Sequence, residues 1–233
     1  MLKKGLEQLG FAQEEIERIS PPLETYISEL MGFKEVCNSV LGAETYDDIV
    51  SRHIMDSLAP WKILGDMIEQ TRERNASSGD AASGDGYKIE FADVGSGPGL
   101  PGIPLAIVFP NVHFTLIERM TKRVAFLERA VAVLKLENVS IECVEAERVA
   151  QNRFDVVVFR AFHPFEKKII RVLLRILKED GKLAAYKATP EKINEEMEAI
   201  KQWAPVWEMK PLKVPYLDQN QRHLVVIPKR QNK

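Results

Sequence analysis

The sequence has little cysteine, no surplus of positive charge and no long apolar run, and each shortage removes a class of function. Only two of its 233 residues are cysteines, Cys37 and Cys143, and no Cys-x-x-Cys or Cys/His cluster accompanies them. A disulfide scaffold is excluded, a structural zinc site or other metal is not expected, and two free thiols suit a reducing compartment. Lys and Arg number 32 against 34 Asp and Glu, a formal net charge of -2. That rules out a grip on nucleic acid by bulk charge but leaves room for a local basic face. The longest apolar stretch, 103–109, contains Pro104 and is too short to cross a bilayer. The first residues, MLKKGLEQLG, lack the apolar core of a secretory signal. The expectation is a cytoplasmic monomer with no membrane partner. With 45% hydrophobic residues the chain can bury one full-sized domain, or a domain with an appendage.

Residues 1–71 read as an N-terminal helical extension. Leu6, Leu9, Ile16 and Ile19 recur at helical spacing, and Pro21-Pro22 is expected to stop that run. Pro22 would then open a second helix carrying Leu23, Tyr26, Ile27 and Leu30. A third helix is expected over 46–58, and 60–70 continues helically. The stretch 72–88, RERNASSGDAASGDGYK, has little to bury and reads as a polar flexible linker. From 89 to 233 the pattern alternates. Apolar strands at 89–94, 112–117, 139–144, 154–159 and 182–187 are interleaved with helical patterns at 101–109, 121–136, 164–177 and 190–203. Cys143, inside the third of these strands, reads as a core residue. Two closing strands, 206–214 and 223–227, have no helix between them and should form an antiparallel hairpin at one edge. This alternation predicts a Rossmann-like α/β fold, with helices on both faces of a mostly parallel sheet.

The sharpest motif is Asp93-Val-Gly95-Ser-Gly97-Pro-Gly99-Leu100-Pro-Gly102, directly after the first strand of that domain and opening a helix. Ligands of such sheets bind at the carboxyl ends of the strands, and glycines let a ligand approach the backbone closely. Gly97-x-Gly99-x-x-Gly102 satisfies a dinucleotide fingerprint, with Glu118 placed to hold a ribose. Asp93 favours a different ligand, S-adenosylmethionine (SAM). Its ammonium and sulfonium would be attracted to a carboxylate that repels a pyrophosphate. Both readings remain open at this level, as does a glycine-rich turn without a ligand. Glu118 can accept ribose hydroxyls under either cofactor. Glu145-Ala146-Glu147, after the third strand, lies where an adenine edge would. Arg160 leaves the fourth strand at the same lip, able to bind a carboxylate or a phosphate or simply to form a salt bridge. His163, next to Pro164, reads as a capping or packing residue.

Two methyltransferase chemistries lack their motifs. The fourth strand does not end in Asn/Asp-Pro-Pro-aromatic, the signature of exocyclic amine methylation, and neither cysteine follows a proline, as a nucleophile attacking a pyrimidine commonly does. A nucleophile with its own lone pair remains, and guanine N7 is one.

The chain resembles the bacterial ribosomal small-subunit methyltransferase G family (RsmG, also called glucose-inhibited division protein B, GidB). The resemblance rests on Arg52-His53-Ile-Met-Asp56-Ser57-Leu58, the glycine motif from Asp93 to Gly102, Lys122-Arg123-Val-Ala-Phe126-Leu127, and Arg160-Ala161-Phe162. It implies a SAM-dependent enzyme that methylates guanine N7 in 16S ribosomal RNA, free or in the small ribosomal subunit. By position it places cofactor contacts on Asp93, Gly95, Leu100, Glu118, Ala146, Glu147 and Arg160, and Gly97 and Gly99 of the glycine loop are cofactor-binding candidates with them. It places His53, Asp56 and Ser57 near the active site, with no residue assigned a chemical step. Lys122, Arg123, Lys168, Arg171 and Arg222 are the candidates for RNA phosphate contact. A SAM enzyme acting on a small molecule and a noncatalytic RNA-binding assembly factor are the alternative readings.

Overall fold

The computed structural model describes residues 1–33, 44–78, 88–160 and 164–230. Cys37, Ala161, Phe162 and His163 lie outside the described residues, as does most of the expected linker. Helix α1 (Leu2–Gln8) leads into α2 (Gln13–Gly32). A third helix, α3, begins as Tyr46–Ile49, widens into a π-turn at Val50–Met55 and ends as Asp56–Leu58. Helix α4 (Trp61–Ser78) reaches into the stretch expected as linker.

The expected break at Pro21-Pro22 does not occur. α2 runs through both prolines, and the chain turns instead at Gly10, whose φ is +82°. Prolines inside a helix cost about 3 kcal/mol apiece, but Ile16, Ile19, Leu23, Tyr26, Ile27 and Leu30 form one buried stripe across that point. Each such side chain contributes roughly 1.5–3 kcal/mol on full burial, so the packed face outweighs local propensity.

The remaining elements alternate: β1 (Glu90–Val94), α5 (Gly102–Val108), β2 (His113–Ile117), α6 (Thr121–Leu134), β3 (Val139–Glu142) and β4 (Phe154–Arg160). They continue as α7 (Lys167–Ile176), β5 (Leu177–Lys187), α8 (Pro190–Ile200), β6 (Glu208–Leu212) and β7 (Arg222–Pro228). The sheet order is β3-β2-β1-β4-β5-β7-β6. β1 to β5 are parallel, and β7 runs antiparallel between β5 and β6. This is the expected mostly parallel sheet with its antiparallel edge hairpin. The order reverses between β1 and β4, so the ligand crevice of a doubly wound sheet falls at their carboxyl ends.

Side chains of one strand alternate between two apolar layers. Phe91, Val156, Val158, Ala184 and Leu224 share a core with the helices before β1 and with α5 and α6. Ala92, Val94, Val157, Phe159 and Leu183 face Ile170 and Leu173 of α7 and Ile193 and Met197 of α8. The helices before β1 therefore pack directly on the sheet. Cys143 is not a core residue: β3 ends at Glu142, at the open edge of the sheet, and the thiol beyond it is exposed.

Candidate active site

The chain leaves β1 against the end of β2, with the Gly95 and Ser96 N–H groups both donating to the Ile117 carbonyl. It then turns through left-handed glycines, with φ of +71° at Gly95, +57° at Gly97 and +96° at Gly99. A Cβ on Gly99 would fall 2.5 Å from Ile103 Cδ1, so this position is closed by packing as well as by dihedral. At Gly97 the nearest atom would be 3.9 Å away, so there the backbone stays open to a ligand.

Two carboxylates hold this loop. Asp93 is 0% exposed, and its Oδ2 accepts the Gly102 N–H at 2.8 Å. Its Oδ1 is buried and has no hydrogen-bond partner among the described residues. Burial pushes the Asp93 carboxyl up to about 6, against the pull of the Gly102 N–H. Asp93 thus sits beneath the loop it was expected to flank, with one oxygen used on the loop and one unused. Glu118, 4% exposed, accepts the Gly97 N–H at 3.0 Å on one oxygen and the Met120 N–H at 2.9 Å on the other. Each oxygen keeps lone-pair capacity for a further donor.

A cavity of about 540 Å³ opens at the carboxyl ends of β1, β2 and β3, a volume suited to a small-molecule cofactor. Of the sequence candidates it collects Gly95, Glu118, Ala146 and Glu147, with Arg123 and Lys168 also in its wall. Ala146 and Glu147 begin a short 3-10 turn, whose Glu147 carbonyl accepts from Arg175 of α7 at 3.1 Å. The Lys168 ammonium, 2.7 Å away, holds the Glu147 carboxyl below its usual range.

The other candidates lie outside that wall. Gly97, Gly99 and Leu100 belong to the loop, while Arg160, at the tip of β4, joins a separate polar cluster. Its Nη1 donates to Asp56 Oδ2 at 2.9 Å and to the Arg52 carbonyl at 3.1 Å, and its Nη2 meets His53 Nδ1 at 3.1 Å. His53 Nε2 is 2.6 Å from Glu44 Oε2. Burial and the neighbouring Arg160 charge lower the pKa of His53, which favours a neutral ring accepting from Arg160 and donating to Glu44. Asp56 Oδ1 takes Arg222 Nε at 3.0 Å. The Ser57 hydroxyl is buried with no partner among the described residues, while its carbonyl accepts from Tyr186 at 2.7 Å. The three residues of the His-x-x-Asp-Ser motif are thus brought to the ends of β4, β5 and β7.

Of the basic candidates, Lys122 and Arg171 are exposed. Arg123 faces Glu118 at 3.5 Å, and Arg222 is committed to Asp56. Glu44 and Tyr26 escaped the sequence reading. Glu44 lies in no motif, and Tyr26 looked like one more core position. Its hydroxyl nevertheless donates to the Pro98 carbonyl at 2.7 Å, linking α2 to the glycine loop. Among the described residues no group of three or more His, Cys, Asp or Glu could hold a metal, and no helix is long and apolar enough to cross a membrane.

The donors and acceptors fit a ligand with a diol and a cationic end. Glu118 offers acceptors at the cavity, and Asp93 Oδ1 is an orphaned buried anion beneath the loop. A pyrophosphate would meet both carboxylates.

The family profile described as rRNA small subunit methyltransferase G (GidB) matches residues 20–225. The ribosomal RNA small subunit methyltransferase G of Treponema denticola is 38% identical over 240 residues, covering 98% of this chain and 94% of that protein. The protein of that name from Polynucleobacter asymbioticus is 31% identical over 239 residues, covering 99% and 96%. Among solved structures, the tRNA methyltransferase TrmI from Aquifex aeolicus matches with a TM-score of 0.50 at 14% identity, covering 62% of this chain and 63% of that one. That last likeness is one of fold alone.

Proposed function

The chain belongs to the rRNA small subunit methyltransferase G family, and on that premise we propose that it transfers the methyl group of SAM to N7 of a guanine in 16S ribosomal RNA. The observation that carries this reading is the glycine hairpin strung between two buried carboxylates, Asp93 and Glu118, at the switch point of the sheet. When bound, SAM supplies an electrophilic methyl group on a sulfonium.

The chain's own residues bind and orient. Gly95 and Gly97 let the donor lie against bare backbone. Glu118 accepts ribose hydroxyls while holding Gly97, and Ala146 and Glu147 flank the adenine. Leu100 and Gly99 support the loop from within. Arg160 offers its remaining N–H donors to the amino-acid carboxylate, and Asp93 faces the positive end. Guanine N7 already carries a lone pair on its major-groove edge, so no base has to remove a proton first. Alignment of that lone pair with the methyl group is then the main task, a proximity effect worth up to about 7–11 kcal/mol. His53, Asp56 and Ser57 stand beside this point.

The substrate is the small ribosomal subunit or its RNA, met by the protein as a cytoplasmic monomer. Lys122 and Arg171 are free to meet phosphate, and Arg123 and Lys168 stand at the cavity mouth. With a near-neutral net charge this footprint is small, so the shape of the RNA carries recognition. Residues 1–71 serve as the helical extension and 89–233 as the methyltransferase domain, joined through 72–88.

The test is incubation with tritiated SAM and small subunits lacking the modification, then mapping of the labelled base. One labelled guanine, cleavable at N7-methylated sites, is expected. Label on a small molecule without RNA, or RNA binding with no transfer, would overturn the reading.

A further inference from the structure

We propose that Asp56 is the positioning residue that holds Arg160 for the methyl donor, and that Arg222 serves the same site by holding Asp56. This rests on the reading above that Arg160 belongs to the donor site.

Arg160 is the last residue of β4, and its own strand supplies no acceptor for it. A free arginine side chain loses rotamer entropy when it is held in one geometry, so a useful guanidinium at a strand tip must be fixed from elsewhere. All three of its acceptors come from one stretch of α3: the Arg52 carbonyl, His53 Nδ1 and Asp56 Oδ2. That stretch includes the π-turn, a distortion that recurs at functional sites. Only Asp56 among the three carries a full charge. Its side chain is 8% exposed and Arg160's is 14% exposed, so each ion would be costly alone.

Asp56 also has a second anchor. Its other oxygen takes Arg222 Nε at 3.0 Å, from the first residue of β7. One carboxylate therefore spans α3, β4 and β7 and is shared by two cations. Arg160 keeps its Nε–H and one Nη2 hydrogen without a partner among the described residues. Those donors, backed by positive charge that Asp56 only partly offsets, suit a carboxylate ligand. Arg222 was a candidate for RNA phosphate on sequence grounds, but its Nε–H is taken by Asp56. Its effect should therefore be visible with no RNA present.

The test is calorimetric titration of the full chain with S-adenosylhomocysteine, without RNA, alongside urea unfolding. Arg160→Ala should weaken binding by about tenfold or more, and Asp56→Asn by a similar factor. The double variant should bind no more weakly than Arg160→Ala alone, because both remove one interaction. Arg222→Gln should weaken binding several-fold, and Asp56→Glu should recover part of the loss. If Asp56→Asn fails to fold, Arg222→Gln and its double variant with Arg160→Ala carry the same comparison. Additive losses, or unchanged affinity in both Asp56→Asn and Arg222→Gln while Arg160→Ala binds poorly, would overturn the positioning role. Unchanged affinity in Arg160→Ala would instead remove Arg160 from the donor site, and the inference with it.

Discussion

The Glu118 carboxylate accepts the Gly97 N–H at 3.0 Å, so the acid at the end of β2 and the centre of the glycine loop form one unit. Replacing Glu118 with Gln puts an amide where two backbone N–H groups need acceptors. We expect S-adenosylhomocysteine affinity to fall about tenfold and stability by about 1 kcal/mol. Calorimetry and urea unfolding measure the two effects separately. Unchanged affinity would place the ribose elsewhere.

Gly99→Ala meets two obstacles at once. Its φ of +96° disfavours any side chain, and the new Cβ would press on Ile103 and Leu127. A loss of about 1–3 kcal/mol is expected, with weaker cofactor binding because Ile103 lies in the first turn of α5, directly after the loop. A thermal melt matching the parent protein would show that the loop can relax without cost.

Asp93 sets a pH dependence whose direction follows from its burial. Its carboxyl titrates near 6 in the folded chain and near 3.8 when unfolded. Its contribution to stability is therefore fully present below about pH 4 and is lost as pH rises through 6. Asp93→Asn should flatten that part of the stability profile. A cationic donor favours the carboxylate, so SAM affinity should drop as pH falls from 7 to 5, and the Asn variant should lack that drop. Calorimetry across this range decides the matter, and a flat profile for the parent chain would remove Asp93 from the donor's charge.

Tyr26→Phe deletes one hydroxyl and leaves the Pro98 carbonyl buried without that donor. The expected cost is about 1–3 kcal/mol in unfolding free energy, with a rise in KM for SAM because the loop loses its tie to α2. If KM stays the same while stability falls, the contact serves folding only.

Much of the architecture was legible locally. The alternation of apolar strands with helical patterns from residue 89 onward, and the missing helix before the last strand, are signals of period and length, so they survive without tertiary information. The loop from Asp93 to Gly102 could be read because left-handed backbone demands glycine. Local reading failed where packing overrode propensity. Pro21-Pro22 looked like a stop, yet the stripe from Ile16 to Leu30 carries the helix past it. Cys143 looked like core, but β3 ends one residue earlier at the sheet edge.

The site divides in the same way. Sequence alone determined the alternation of strands and helices, the glycines of the loop after β1 and the acids placed at the strand ends, because these depend on backbone dihedrals and spacing within a few residues; the strand order that opens the crevice came from the tertiary pairing. Only the tertiary structure decided that Asp93 lies under its loop with one oxygen unused, that Tyr26 reaches Pro98, and that Asp56 joins Arg160 to Arg222 across more than a hundred residues of chain. Hydrogen bonds and ion pairs between distant segments leave no periodic trace in sequence. They exist because burial makes each unpaired polar group costly, and the fold determines which partner is near enough to satisfy it.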